Sequence, residues 1–165
     1  MRVYVSKTME DGWQTLMFEG SADKHLKEQI PEIIDYITDK TILDIGKLKS
    51  MDQEGVHGWL ELVHSMDPDK NVYVSNCPSH FIDKVNLIPQ LMDNLQLMSL
   101  YLPVKCTSCR GQFEILFEEF ESLEADQVGQ FISDKDCSKC KETKLKPIVD
   151  LKIFLGFYMN IQKEA

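Results

Sequence analysis

The sequence predicts an α/β fold, a mixed sheet with helices, followed by a small β-rich unit. Three observations carry that prediction. Strand and helix signals alternate through the first hundred residues, the character of the chain changes after Pro103, and four of the five cysteines fall beyond that point as two Cys-x-x-Cys pairs. Two units follow, 1–102 and 103–165, with the split near 102–104.

The elements read in order. RVYV (2–5) and WQTLMFEG (13–20) are strands joined by the turn residues Glu10-Asp11-Gly12. In SADKHLKEQIPEIIDYITDK, Ile30, Ile33, Ile34 and Ile37 share one helical face. Proline is tolerated best in a first turn, so Pro31 predicts a helix that starts near it, with 24–29 as a loose lead-in. TILDI (41–45) is a β-branched, nearly continuous apolar run, as expected of a strand covered on both faces. Val56, Trp59, Leu60 and Val63 recur at helical spacing and predict an amphipathic helix over 53–66, ended by Asp67-Pro68-Asp69. Ser50 and Gln53 have capping-box spacing at its start. NVYVS (71–75), a short helix from Pro78 to Val85, and a last strand LQLMSLYL (95–102) complete the order β-β-α-β-α-β-α-β. Such an order implies a mixed sheet with helices on one side or both.

Composition narrows the function. Hydrophobic residues make up 43% and charged residues 27%, which fits a globular protein. A net charge of -9 disfavours a nucleic-acid binder, because phosphate neutralisation needs clustered Lys and Arg. No apolar run approaches the roughly 18–20 residues of a membrane span. The first residues, MRVYVSKTMEDGW, are interrupted by Lys7, Glu10 and Asp11 and lack a signal-peptide core, so a cytoplasmic protein is expected.

In a reducing compartment, paired thiols point to metal rather than to disulfides. Cys106-Thr-Ser-Cys109 and Cys137-Ser-Lys-Cys140 are separated by 27 residues, and each tight turn supplies two thiolates. Between them QFEILFEEF (112–120) alternates Phe113, Ile115 and Phe117 as a strand. A knuckle, a strand, a connection, then a second knuckle and a returning strand is the layout of a zinc ribbon. Four cysteine ligands leave no position for water, so a structural Zn2+ is expected at Cys106, Cys109, Cys137 and Cys140, with iron as the alternative. A unit of about 60 residues has a thin core, and structural zinc supplies on the order of 10–16 kcal/mol. Cys77, between Asn76 and Pro78, reads as a small buried thiol. His25, His57, His64 and His80 form no ligand pattern. The apolar stretch 148–161, including Ile153, Phe154, Leu155 and Phe157, is expected to pack, with a homodimer interface as its second fate.

The first unit resembles the STAS domains of bacterial anti-sigma factor antagonists. The resemblance covers 2–102 and rests on FEGSADKHLKEQIPEII (18–34), ILDIGKLKSMDQEGVHGW (42–59) and NVYVSNCPSHFIDKVNLIPQLM (71–92), in that order. It implies that the turn before the second main helix is a regulatory docking surface, where a partner anti-sigma kinase phosphorylates a serine. Asp52 and Gly55 match the framing residues of that turn, but Gln53 and Glu54 stand where the hydroxyls would be. Glu54 with Asp52 places permanent negative charge at a helix start, which the helix dipole favours with or without a partner.

A non-enzymatic signalling adaptor is therefore expected, docking a protein partner such as an anti-sigma-type kinase through Asp52, Gln53, Glu54, Gly55, His57 and Gly58. No nucleophile–base pair or phosphate-binding glycine loop is visible. The second expectation, from another class, is nucleic-acid or transcription-machinery binding through the ribbon. Lys139, Lys141, Lys144 and Lys146 favour it, while Glu118, Glu119 and Glu121 oppose it.

Overall fold

A computed structural model describes residues 3–118 and 124–158. Arg2 of the first predicted strand, Glu119, Phe120 and Glu121 of the stretch between the knuckles, and 159–161 of the apolar tail lie outside the described residues. The chain divides into two compact units, Met1–Leu100 and Tyr101–Ala165.

The first unit holds a five-stranded sheet in the order β1-β2-β3-β4-β5. Strand β1 (Tyr4–Glu10) and β2 (Trp13–Ala22) form an antiparallel hairpin, closed where Asp11 and Gly12 both take positive φ. Two consecutive positive φ values are the requirement of the tight turn that matches strand twist. Strands β3 (Thr41–Met51), β4 (Val72–Ser75) and β5 (Leu95–Leu97) add in parallel, each after one helix. The helices are α1 (Leu26–Tyr36), α2 (Gln53–Ser65) and α3 (Ser79–Leu87), with a 3-10 turn at Pro89–Met92. A sequential parallel order with right-handed crossovers carries all three helices to one face of the sheet. Burial agrees: Leu16 and Phe18 of β2, and Leu43 and Ile45 of β3, point into the core. Ile42 and Asp44 alternate with them and are only half-buried, so TILDI is not covered equally on both faces.

Trp59 of α2 centres this core. Its ring meets Phe18 and Phe81 edge-on, with centroids 5.5 and 5.4 Å away, and its indole N–H donates to the Leu91 carbonyl at 2.9 Å. Burying the indole therefore leaves no polar atom unpaired.

Three element boundaries differ most from the sequence reading. Strand β3 runs on to Met51, six residues beyond TILDI. Helix α1 starts at Leu26, so 24–29 is no lead-in and Pro31 sits inside the helix. Asp23 makes the early start possible: its carboxylate accepts the His25 N–H at 2.9 Å and its carbonyl accepts the Leu26 N–H at 3.0 Å. Pro31 removes one helical N–H but lies on the exposed side, while Ile30 and Ile33 on either side of it are buried. The run 95–102 is also not one strand. It breaks at Met98-Ser99, where the Ser99 hydroxyl accepts the Asn76 N–H at 2.7 Å and its carbonyl accepts the Cys77 N–H at 3.0 Å. Beyond the break, Leu100–Cys106 is β6 and belongs to a different sheet.

The second unit holds a three-stranded sheet in the order β7-β6-β8, with β7 at Gln112–Phe117 and β8 at Leu145–Pro147. Strands β6 and β8 run antiparallel, pairing Val104 with Pro147 and Cys106 with Leu145. The connection between the knuckles contains a helix the sequence reading lacked, α4 (Ala125–Ser133), which buries Val128 and Ile132 one turn apart. Phe131 of that helix meets Phe117 of β7 at 4.8 Å. A last single turn, α5 (Leu151–Phe154), is capped by the Asp150 carboxylate. Phe154, Leu155 and Phe157 are buried, whereas Ile153 stays 73% exposed.

Candidate metal centre

Each Cys-x-x-Cys turn is a compact hydrogen-bonded loop, and the two loops follow the same plan. The Cys106 N–H donates to the Gly111 carbonyl at 2.9 Å, and the Cys137 N–H donates to the Glu142 carbonyl at 3.0 Å. The residue after the second cysteine of each pair, Arg110 or Lys141, has φ near +60° (59° and 62°). This left-handed residue reverses the chain and turns backbone N–H groups toward the sulfurs. The Thr107 N–H donates to the Lys144 carbonyl at 3.0 Å, tying the first loop to the strand leaving the second.

The four sulfurs converge. All lie within 4.8 Å of one another, with Cys106 and Cys140 at 3.6 Å and Cys109 and Cys137 at 3.7 Å. A tetrahedral ion about 2.3 Å from each thiolate needs sulfur–sulfur edges of about 3.8 Å. Cys106, Cys109, Cys137 and Cys140 are thus positioned to bind a metal ion. The first cysteine of each loop is buried, Cys140 is half-buried, and Cys109 is exposed.

The loops also prepare the sulfurs for metal. The N–H of Cys109, with that of Ser108, holds the Cys106 thiol below its ordinary pKa against the effect of burial. The N–H of Cys140, aided by that of Lys139, brings Cys137 down to about 6. Cys140 goes the other way. The Glu142 N–H favours its thiolate, but burial and sharing of hydrogen bonds with Cys106, Cys137 and Cys109 push it up to about 12. Four thiolates cannot coexist at this distance without a cation, so metal binding must release the protons that remain.

The second candidate surface is the turn at the start of α2. Asp52 is the N-cap: its carboxylate accepts the Gly55 N–H at 2.8 Å. Ser50 is not the cap, because β3 continues through it to Met51 and its hydroxyl donates to the Ser21 hydroxyl at 2.8 Å. Asp52, Gln53, Glu54 and His57 are exposed. Gly55 and Gly58 are buried, and they serve packing. A β-carbon at 55 would stand 2.2 Å from the Ala22 carbonyl oxygen, and one at 58 would stand 3.3 Å from the Leu26 side chain. The helix start thus presents four of the six predicted docking residues.

Compared with models of protein families and with curated proteins, the chain finds no match. Its own residues must carry the functional reading.

Of the remaining candidates, Cys77 is fully buried, and burial, with the Asp44 carboxylate adding to it, holds its thiol well above the ordinary range. A thiol in that state is a poor nucleophile at neutral pH. His25 lies 3.2 Å from the Glu28 carboxylate and His64 lies 3.3 Å from that of Asp93, both at the surface. Among the described residues, no helix is long and apolar enough to cross a membrane.

Proposed function

We propose that the chain is a non-enzymatic adaptor that works by protein–protein contact in bacterial signalling. In this reading the first unit is a STAS-like domain of the anti-sigma factor antagonist kind, and the second is a zinc ribbon. The observation that carries it is the start of α2, where the end of β3 delivers Asp52, Gln53 and Glu54 to the surface. Neither Gln53 nor Glu54 offers a hydroxyl, so docking there would be constitutive, with its negative charge at the positive end of the helix dipole. The partner is a signalling protein such as an anti-sigma-type kinase, met in the cytoplasm.

Affinity capture with mass spectrometry tests this reading. Recovery of such a kinase, lost on replacing Asp52, Glu54 and His57 with Ala, supports it. Capture unaffected by those replacements leaves Glu54 as a favourable helix-start residue and nothing more.

Zinc is the metal we assign. Four thiolates at tetrahedral spacing suit it, and a full set of cysteine ligands makes its role structural. Metal analysis decides between zinc and iron. Less than half a metal atom per folded chain counts against both.

A second reading is favoured by one observation. Residues 104–111 and 137–146 carry six cations, Lys105, Arg110, Lys139, Lys141, Lys144 and Lys146, against one acid, Glu142. Nucleic-acid binding through the knuckles would show a steep loss of affinity with salt. No binding of DNA or RNA at low salt removes this reading.

A further inference from the structure

The two knuckles share a plan, and two of the positions at which they differ change charge as well as size. Where the first has Ser108 inside its turn, the second has Lys139, and where the second has Glu142 after its left-handed residue, the first has Gly111. Gly111 is not there for backbone freedom. The positive φ belongs to Arg110, while Gly111 itself lies outside the left-handed region. What Gly111 provides is space. A β-carbon there would stand 2.9 Å from Lys139 Cδ, 3.4 Å from Lys139 Nζ and 3.3 Å from Cys109 Sγ. The Lys139 chain thus crosses from the second knuckle onto the first. Its ammonium and the Cys109 sulfur share the small space that the missing side chain leaves open.

Of the four cysteines, Cys109 alone is an exposed residue. Four thiolates around a divalent ion leave two negative charges uncompensated. An exposed thiolate of such a centre is the point that a competing chelator or an electrophile reaches first. We infer that Lys139 is a positioning residue for the metal centre: laid across Gly111, it offsets charge at the Cys109 thiolate and covers that sulfur against attack. The inference rests on the reading of the four cysteines as a metal centre. It adds that the centre is guarded asymmetrically, at one sulfur, by a residue that is not a ligand.

The test uses the full-length zinc-loaded protein. Zinc release to 4-(2-pyridylazo)resorcinol and alkylation of Cys109 by iodoacetamide, followed by peptide mapping, are compared among variants. An exposed ion pair supports a change of about 1.5- to fivefold. Both rates should rise by that factor in Lys139→Met, which keeps the stem and loses the charge. Lys139→Arg should restore them. Gly111→Ala, which displaces the stem from the first knuckle, should resemble Lys139→Met. In the Co2+-loaded protein, the thiolate-to-metal absorption should shift in Lys139→Met and not in Lys139→Arg. Rates equal in all variants overturn the inference, and rates raised equally in Met and Arg overturn the role of charge. A wild-type chain that takes up neither Zn2+ nor Co2+ overturns the metal reading itself, a result distinct from the other two.

Discussion

The Asp52 carboxylate accepts the Gly55 N–H at 2.8 Å, while the α-carbon of that glycine is pressed against the Ala22 carbonyl. One residue thus fixes both the start of α2 and its approach to β2. The Asp52 N–H closes the arrangement by donating to the same Ala22 carbonyl at 3.2 Å. Asp52→Ala should lower stability by about 1 kcal/mol in urea unfolding, and Asp52→Asn should cost much less, because its amide oxygen still caps. Equal loss in both variants would mean that the carboxylate charge, not the cap, matters.

Gly55→Ala and Gly58→Ala should differ sharply. The first drives a β-carbon into backbone at 2.2 Å and should cost roughly 3 kcal/mol or more, or prevent folding. The second meets Leu26 Cβ and Cγ at 3.3 Å, a tight contact that a shift of a few tenths of an ångström relieves, and it gains up to about 1 kcal/mol of helix propensity, so it should stay within about 1 kcal/mol of wild type. Thermal unfolding of the two variants side by side checks the contrast.

Cys77 should make stability depend on pH only on the alkaline side. Its thiol is raised by burial, so below about pH 8.5 it is protonated in both folded and unfolded chains. Above that pH the unfolded thiol ionises and the folded one does not, so stability falls by up to ~1.4 kcal/mol per pH unit. Relative to Cys77→Ala, the wild-type curve should run parallel below pH 8 and drop faster above it. Parallel curves throughout would contradict a buried neutral thiol.

Metal removal should act on the second unit. Stripping with a strong chelator, or Cys137→Ser, should abolish amide protection in β6, β7 and β8. Protection in β2 and β3 should survive, read by hydrogen exchange with mass spectrometry. Uniform loss across both sheets would show that the units do not unfold separately.

Much of this molecule is legible in its sequence, for reasons specific to its residues. The alternation of the first hundred residues is clear because turn chemistry separates the elements, as at Asp11-Gly12, and because α2 has an unambiguous apolar stripe around Trp59. The Cys-x-x-Cys pairs are legible because that spacing, met twice in one small unit, is a metal-ligand pattern. What escaped depends on partners distant in sequence. Ser50 has capping-box spacing, but Ser21, on the neighbouring strand, takes its hydroxyl. The apolar run 95–102 hides its break because the groups that end it, Asn76 and Cys77, lie some twenty residues earlier. Gly55 and Gly58 read as surface because nothing local reveals Ala22 and Leu26 beside them. Helix α4 had a signal in the spacing of Val128 and Ile132, but it is short and follows the acidic stretch 118–124.

The shared plan of the two knuckles has a kinetic consequence. Each closes on itself within six residues, Cys106 to Gly111 and Cys137 to Glu142, so each can form as a local turn while the rest of the unit is still searching. Two claws, each already holding a pair of sulfurs, then need a single encounter to become one. The 27 residues between them make that encounter the non-local step of assembly, and a bound ion would hold the two claws together once they meet. The order of events would therefore be claw, claw, metal, with the sheet zipped last.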